Sequence, residues 1–358
     1  MVISIYDKWF TPVFLTVCCA WLFMACDDRS KPLDDSLVTL KIVLPGDTVQ
    51  NIRPDGTRAG DNVSGSEAES RISALRFLVY DQKGTQMEIY KSVRINADWT
   101  SDDPMWDAAS KSLRIPMTQG TKRIHCVANW ADPSTPDMPS IDTSTAENET
   151  VLLATERKHD GVKLVNPPVM TASLISVKIS ADTQNVPIEF KRQVARVELC
   201  PNISEELDLL GARVRITGVK FRNLPSRAYL FPKSTLASPA SITQWDQSDF
   251  TEFTSNVLLT QTAVDLETKC YIPEYKPSGQ DVAAVMIVRA DFNGQTLYYN
   301  IVVDPSTSAT PKHKAFEIER NHTYRYCLTI LGEGSATETT RSAGVPACTN
   351  LIYRLEIR

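Results

Sequence analysis

From residue 36 onward, nearly every apolar stretch of this chain is short, β-branched and alternating, and each is closed off by Pro, Asn, Asp or Gly. Alternation puts successive side chains on opposite faces of an extended backbone, so such stretches build half-buried sheets and do not build helices. Segments of this kind fall at 37–44, 72–81, 87–95, 123–128, 169–179, 188–199, 213–223, 283–293, 296–303 and 323–331. Helical periodicity is confined to stretches such as 204–211. The pattern predicts an all-β protein. At 358 residues the chain has room for roughly two domains of ~150 residues, and two β-rich halves of similar size meet near Phe190. With 42% hydrophobic and 23% charged residues it has enough apolar material for a folded core, which sets aside the disordered class.

Two local signals sharpen this reading. In 72–81, Leu75, Phe77 and Val79 share one face and Arg76 and Leu78 the other. Asn293-Gly294, between two apolar-rich segments, predicts a hairpin, because a type I′ turn needs positive φ at both central residues. The stretch 46–70 is polar and aperiodic and longer than an ordinary connection, so it reads as a mobile loop or a site of cutting. A second loop, 132–150, is rich in Ser, Thr and Pro.

The N terminus reads as an address. An apolar run of 13 residues, 13–25, follows Lys8 and is too short to span a bilayer comfortably. Phe23-Met24-Ala25 before Cys26 resembles a bacterial lipoprotein signal, with the small residue in place and Phe where leucine is usual. Acylated Cys26 is the expected mature N terminus, and an ordinary secretory signal cut elsewhere is the alternative. Asp27 and Asp28 resemble the acidic patch that accompanies surface export in Bacteroidetes-type lipoproteins.

Material for chemistry is thin. The chain has four histidines, and after Cys26 five cysteines remain with no C-x-x-C and no metal-ligand spacing, which favours buried thiols over a disulfide framework. His125 and Cys126 are neighbours on a predicted strand and so point to opposite faces. His322 lacks ligand partners and reads as structural. No nucleophile elbow, zinc-helix motif or phosphate loop stands where its context demands. The expectation is no enzyme, no catalytic residue, no cofactor and no metal; a hydrolase on a β-sandwich would need converging carboxylates in a cleft. A net charge of −5 leaves no footprint for nucleic acid.

Several phrases occur in a telling order: KRQVARVEL at 191–199, TGVKFRNLP at 217–225, CYIPE at 270–274, IERNHTY at 318–324 and LTILGEG at 328–334. A looser continuation appears in LRFLVYD at 75–81 and VAN at 127–129. Together they resemble the fimbrillin family, the major and minor subunits of the type V pili of Bacteroidetes.

The resemblance implies two transthyretin-like β-sandwiches in tandem, in a subunit exported to the outer membrane as a lipoprotein. An Arg-specific surface protease would then remove the first strand, and a strand from another subunit would fill the groove in a cell-surface fimbria that supports adhesion. On that pattern 1–25 is the signal peptide, 26–58 a propeptide with the first strand, 59–189 and 190–334 the two sandwiches, and 335–358 a tail. Val38, Leu40 and Ile42 form the inner face of the strand to be displaced. Arg53 is followed by Pro54 and Arg71 opens a strand, so Arg58-Ala59 is the expected cleavage site; an unprocessed loop is the alternative. Leu351, Tyr353, Leu355 and Ile357 form the apolar face of a candidate donor strand. Expected partners are other fimbrial subunits, the protease, the outer membrane through the lipid anchor, and a host or bacterial surface receptor. The sequence departs from many stalk subunits in lacking a longer tail that closes near a tryptophan, which leaves stalk, tip and anchor roles open. A lipid-anchored surface adhesin, glycan- or protein-binding, that never polymerises is the rival reading.

Overall fold

The computed structural model describes residues 35–44, 67–129, 146–159, 161–162, 168–183, 185–232, 243–253, 257–304, 306, 314–338 and 350–357. Cys26, Arg58 and Ala59 lie outside the described residues, as does most of 46–70.

The structure is built from sheets, as the alternation requires. In the first half, β1 (Asp35–Val43), β4 (Trp106–Asp107), β5 (Ser112–Thr118) and β9 (Asn185–Glu189) form one sheet in the order β4-β5-β1-β9. Facing it is a second sheet of β2 (Ala74–Tyr80), β3 (Met87–Arg94), β6 (Gly120–Ala128), β8 (Met170–Ile179) and β10 (Lys191–Arg192), in the order β10-β8-β6-β2-β3. Their inner faces share one core, including Val38, Leu40, Leu75, Phe77, Val79, Ile115, Ile124 and Ile188.

The second half repeats the plan. One sheet runs β17-β11-β20-β21, from β11 (Val194–Ile203), β17 (Leu266–Pro273), β20 (Thr323–Ile330) and β21 (Leu351–Ile357). The other runs β16-β12-β18-β19, from β12 (Val214–Arg222), β16 (Thr251–Glu252), β18 (Val285–Phe292) and β19 (Gln295–Val302). Their shared core includes Val197, Leu199, Phe221, Met286, Tyr299, Tyr324 and Leu355. Four short strands complete the set: β7 (Glu156–Lys158) pairs with β14 (Arg227–Tyr229), and β13 (Leu224–Pro225) with β15 (Gln244–Trp245).

Among the described residues helix is confined to single turns: α1 (Glu67–Ser70), α2 (Glu149–Leu153) and α3 (Glu205–Leu209), plus a 3₁₀ turn at Gln280–Val282. The α3 turn lies within the helical stretch expected at 204–211, and Ser204 Oγ caps it by accepting from Leu207 N at 3.4 Å. The Asn293-Gly294 turn joins β18 to β19 with φ of 53° and 85°, the doubly left-handed geometry of a type I′ hairpin.

Two expectations are corrected. The segment 188–199 is not one strand: β9 ends at Glu189, β10 covers two residues in the other sheet, and β11 begins at Val194. The chain crosses between sandwiches here, and Phe190, fully buried in the first core, marks the corner. The polar stretches 46–70 and 132–150 also do not end as featureless loops, because each finishes in a helical turn whose carboxylate, Glu69 or Glu149, is buried.

Candidate strand-exchange site and the junction beside it

The candidate site starts with β1. This strand lies inside its sheet, antiparallel to β5 on one edge and parallel to β9 on the other. Val38 stands opposite Ile115, Leu40 opposite Leu113 and Val186, and Ile42 opposite Ile188. Val38 and Leu40 are fully buried and Ile42 is 3% exposed, while Leu37 and Lys41 on the outer face are exposed. Each inner side chain carries about 1.5–3 kcal/mol of burial, and both strand edges carry ladder hydrogen bonds. Withdrawing β1 would therefore leave an apolar furrow flanked by two open edges, which only another extended, alternating segment could refill.

The second component is β21. It is an edge strand, antiparallel to β20, with Leu351 opposite Ile330, Tyr353 opposite Leu328, Leu355 opposite Tyr326 and Ile357 opposite Tyr324. The structure thus brings the four candidate donor residues onto one face, directed at the second core. Leu351 and Leu355 are buried, Tyr353 and Ile357 half-buried, and the Tyr326 and Tyr353 rings lie 5.8 Å apart. The two candidate strands stand in different sandwiches, each filling a place in its own sheet.

Between the sandwiches lies a junction that sequence reasoning did not single out as functional. Glu69 in α1 is fully buried and receives Arg196 Nη1 at 3.3 Å on both oxygens, the Tyr271 hydroxyl, and Arg192 Nη1 at 3.8 Å. Burial, then the Glu69 carboxylate, raises the Tyr271 hydroxyl, so it remains a donor. Burial also lowers Arg192, and the Glu69 carboxylate opposes that shift. The α1 turn is in this way pinned to β10, β11 and β17.

A second cluster closes the outer face of the β6 sheet. Glu149 accepts from Arg123 Nε at 2.7 Å and contacts His125 Nε2 at 2.6 Å, while His125 Nδ1 meets Ser173 Oγ at 2.8 Å. An ionised Glu149 requires the proton on Nε2, leaving Nδ1 to accept from the serine. Desolvation lowers His125, with Glu149 opposing it, and burial raises Tyr80 beside them. Gly84, at φ +72°, makes room, since a Cβ there would stand 2.2 Å from Glu149 Oε2. Phe231, arriving from the second half, packs its ring 5.3 Å from His125, and with Leu230 it joins Leu78, Tyr80 and Val127 in a third core. Cys126, next in sequence, points the other way into the first core, as alternation predicts.

The family-like phrases converge on this junction. Arg320 of IERNHTY donates Nη1 to Leu230 O at 2.7 Å, Nη2 to Tyr229 O at 2.8 Å and Nε to Glu274 of CYIPE at 2.8 Å. Asn321, at φ +62°, accepts Arg192 N at 3.1 Å, and Gln193 of KRQVARVEL donates to Tyr229 O at 3.1 Å. Asn129 of VAN accepts from Ser73 N at 2.8 Å and donates to Arg71 O and Pro168 O. His322 Nδ1 sits 2.8 Å from the Arg320 carbonyl, a backbone contact in keeping with a structural role. The signal that could have located Glu69 was the acidic pair Glu67 and Glu69 just ahead of strand 72–81, and nothing in its spacing distinguishes it from a solvated one.

Among the described residues no group of His, Cys, Asp and Glu could hold a metal ion, and no helix is long and apolar enough to cross a membrane. No family model matches the chain, and neither does any curated protein. Solved structures do. A candidate cell adhesion protein from Parabacteroides distasonis superposes with a TM-score of 0.56 at 17% identity, covering 91% of this chain and 96% of that one. A fimbrilin (FimA) from Porphyromonas gingivalis gives 0.55 at 14% identity over 90% of this chain and 96% of its own. The tip fimbrial protein Mfa3 from Porphyromonas gingivalis gives 0.51 at 13% identity over 90% and 98%. Over nine-tenths of its length, then, this chain has the all-β fold of these fimbrial and cell adhesion structures.

Proposed function

We propose that the chain belongs to the fimbrillin family and is a structural subunit of a bacterial surface fimbria. It is exported as a lipoprotein precursor acylated at Cys26, cut at Arg58-Ala59, and assembled by strand exchange in support of adhesion. The observation that carries this reading is the position of β1. It is an interior strand with a buried inner face, and it precedes the long polar stretch that contains Arg58. Glu69, eleven residues downstream of Arg58, is anchored to the second sandwich and would stay with it after cleavage. The strands that would face the vacated furrow, β5 and β9, can hydrogen-bond a donor on both edges.

Incubating the purified full chain with an Arg-specific protease is expected to release the segment ending at Arg58 and yield multimers. A chain that resists cleavage and remains monomeric overturns the polymerising reading. Radiolabelled palmitate should enter the exported protein and be lost in Cys26→Ala. The second reading, a lipid-anchored tip or anchor subunit or adhesin, draws support from the docking of β21 on its own β20. It predicts that deleting 345–358 leaves surface binding intact, whereas assembly through that strand predicts loss of multimers.

A further inference from the structure

The outer face of the β11–β20 pair holds two cysteines on one rung. Cys200 and Cys327 are register partners on adjacent parallel strands, so their side chains leave the sheet on the same side. The neighbouring rung shows that partners on this face touch: Thr329 Oγ1 donates to Asn202 Oδ1 at 2.8 Å. Beside the pair, Arg325 Nη2 reaches Cys200 Sγ at 3.3 Å. Cys200 is buried and Cys327 half-buried; Arg354, the partner of Cys327 on β21, has a side chain 73% exposed. Burial and then the Cys327 thiol push the Cys200 thiol up to about 12, so Cys200 rests as a thiol.

We infer that Cys200 and Cys327 form a redox-active pair that closes a cross-strand disulfide between β11 and β20. Adjacent strands run about 4.8 Å apart, inside the about 4.4–6.8 Å range of Cα separations that a disulfide spans. The oxidant is a small or protein disulfide. The Cys327 thiolate attacks one of its sulfurs and releases the first thiol, giving a mixed disulfide. The Cys200 thiolate, steadied by the Arg325 guanidinium, then attacks Cys327 Sγ and releases the second. One disulfide is reduced to two thiols while one forms in the protein, and the two cysteine protons leave on the released thiols. The bond would fasten β20 to β11 independently of β21 on the other edge of β20, so β20 would keep its place whether or not β21 stays. This inference does not rest on the fimbrial reading, and its failure would leave that reading untouched.

The test uses the full chain. Oxidised glutathione is added, remaining thiols are alkylated in denaturant, and the tryptic peptides are weighed. Cys200 and Cys327 fall in separate single-cysteine peptides, 197–213 and 326–341. The expected product is those two peptides joined, two hydrogens lighter than their sum, with Cys126 and Cys270 alkylated. In Cys200→Ser, Cys327 should instead carry a lasting glutathione adduct. Two alkylated peptides, or a lasting glutathione adduct at Cys327 in the unaltered chain, overturn the inference. Since the decisive measurement is made on the unaltered chain, a variant that fails to fold does not obscure it.

Discussion

The first and last strands of the described structure are close in length and alike in alternation, yet they hold opposite positions. β1 is interior, with ladders on both edges and Val38 and Leu40 fully out of water. β21 is an edge strand with one ladder, and of its inner residues only Leu351 and Leu355 are buried. A strand's sequence therefore sets which face is buried, while its place in the sheet sets how much its departure costs. β1 is expensive to lose and can be replaced only by an equivalent strand. β21 can fray or leave while β11, β17 and β20 keep their own pairings.

The largest expected effect is on the interior strand. Leu40→Ala opens a cavity beneath two paired edges and should cost about 4 kcal/mol in denaturant unfolding, with the first sandwich melting before the second. A loss below about 1 kcal/mol would show that β1 is not a tightly packed member of that sheet. Next comes the junction: Glu69→Gln removes the buried negative charge that Arg192, Arg196 and Tyr271 share and should cost about 3 kcal/mol. If that variant melts like the parent, α1 does not couple the region after β1 to the second sandwich.

The same contrast explains what the sequence could and could not convey. Alternation is a local signal, so the inner faces of β1, β2 and β21 and the hairpin at Asn293-Gly294 were legible. Partnering is not local. That β1 runs beside β9, nearly 150 residues away, and that β21 returns to β20 depend on contacts no window of sequence contains. β5 went unread because Ser112-Leu113-Arg114-Ile115-Pro116 carries a proline that normally argues against an interior strand. The strand through Leu266 and Cys270 was visible only as the phrase CYIPE, since Glu267, Thr268 and Lys269 break its apolar run. Glu69 and Glu149 were invisible as buried acids, because an acid in a polar stretch reads as solvated until the fold supplies its arginine partners.

Leu355→Ala tests the edge. The residue is 1% exposed, but the edge strand can shift toward the gap, so the expected cost is about 2.5 kcal/mol, less than at Leu40. An equal or larger loss would erase the distinction between the two strands.

Acid should act on the junction. His159 is 7% exposed, its backbone N–H donates to Ser226 O at 2.8 Å, and among the described residues nothing hydrogen-bonds its Nε2. Burial, then Arg157 and Arg320, holds it down at about 3 from an ordinary 6.5. The unfolded chain takes up this proton first, so the contribution is whole above pH 6.5 and is lost as pH falls from there through about 3. By pH 5 the loss should be about 2 kcal/mol, and His159→Gln should flatten that part of the stability profile. An unchanged slope in the variant would show that other groups carry the acid sensitivity.

The smallest effects belong to the outer faces. Leu37 on β1 is 51% exposed and Ile352 on β21 is 57% exposed, each one position from a buried inner residue. Period-two geometry removes both from their cores, so Leu37→Thr and Ile352→Thr should each change stability by no more than about 0.5 kcal/mol. The pair also separates the strand's face from its place. If interior pairing tightened the whole of β1, Leu37→Thr would cost clearly more than Ile352→Thr. Equal, near-zero losses mean that the difference between the two strands resides in the inner residues and the ladders, which are what a replacing strand would have to supply.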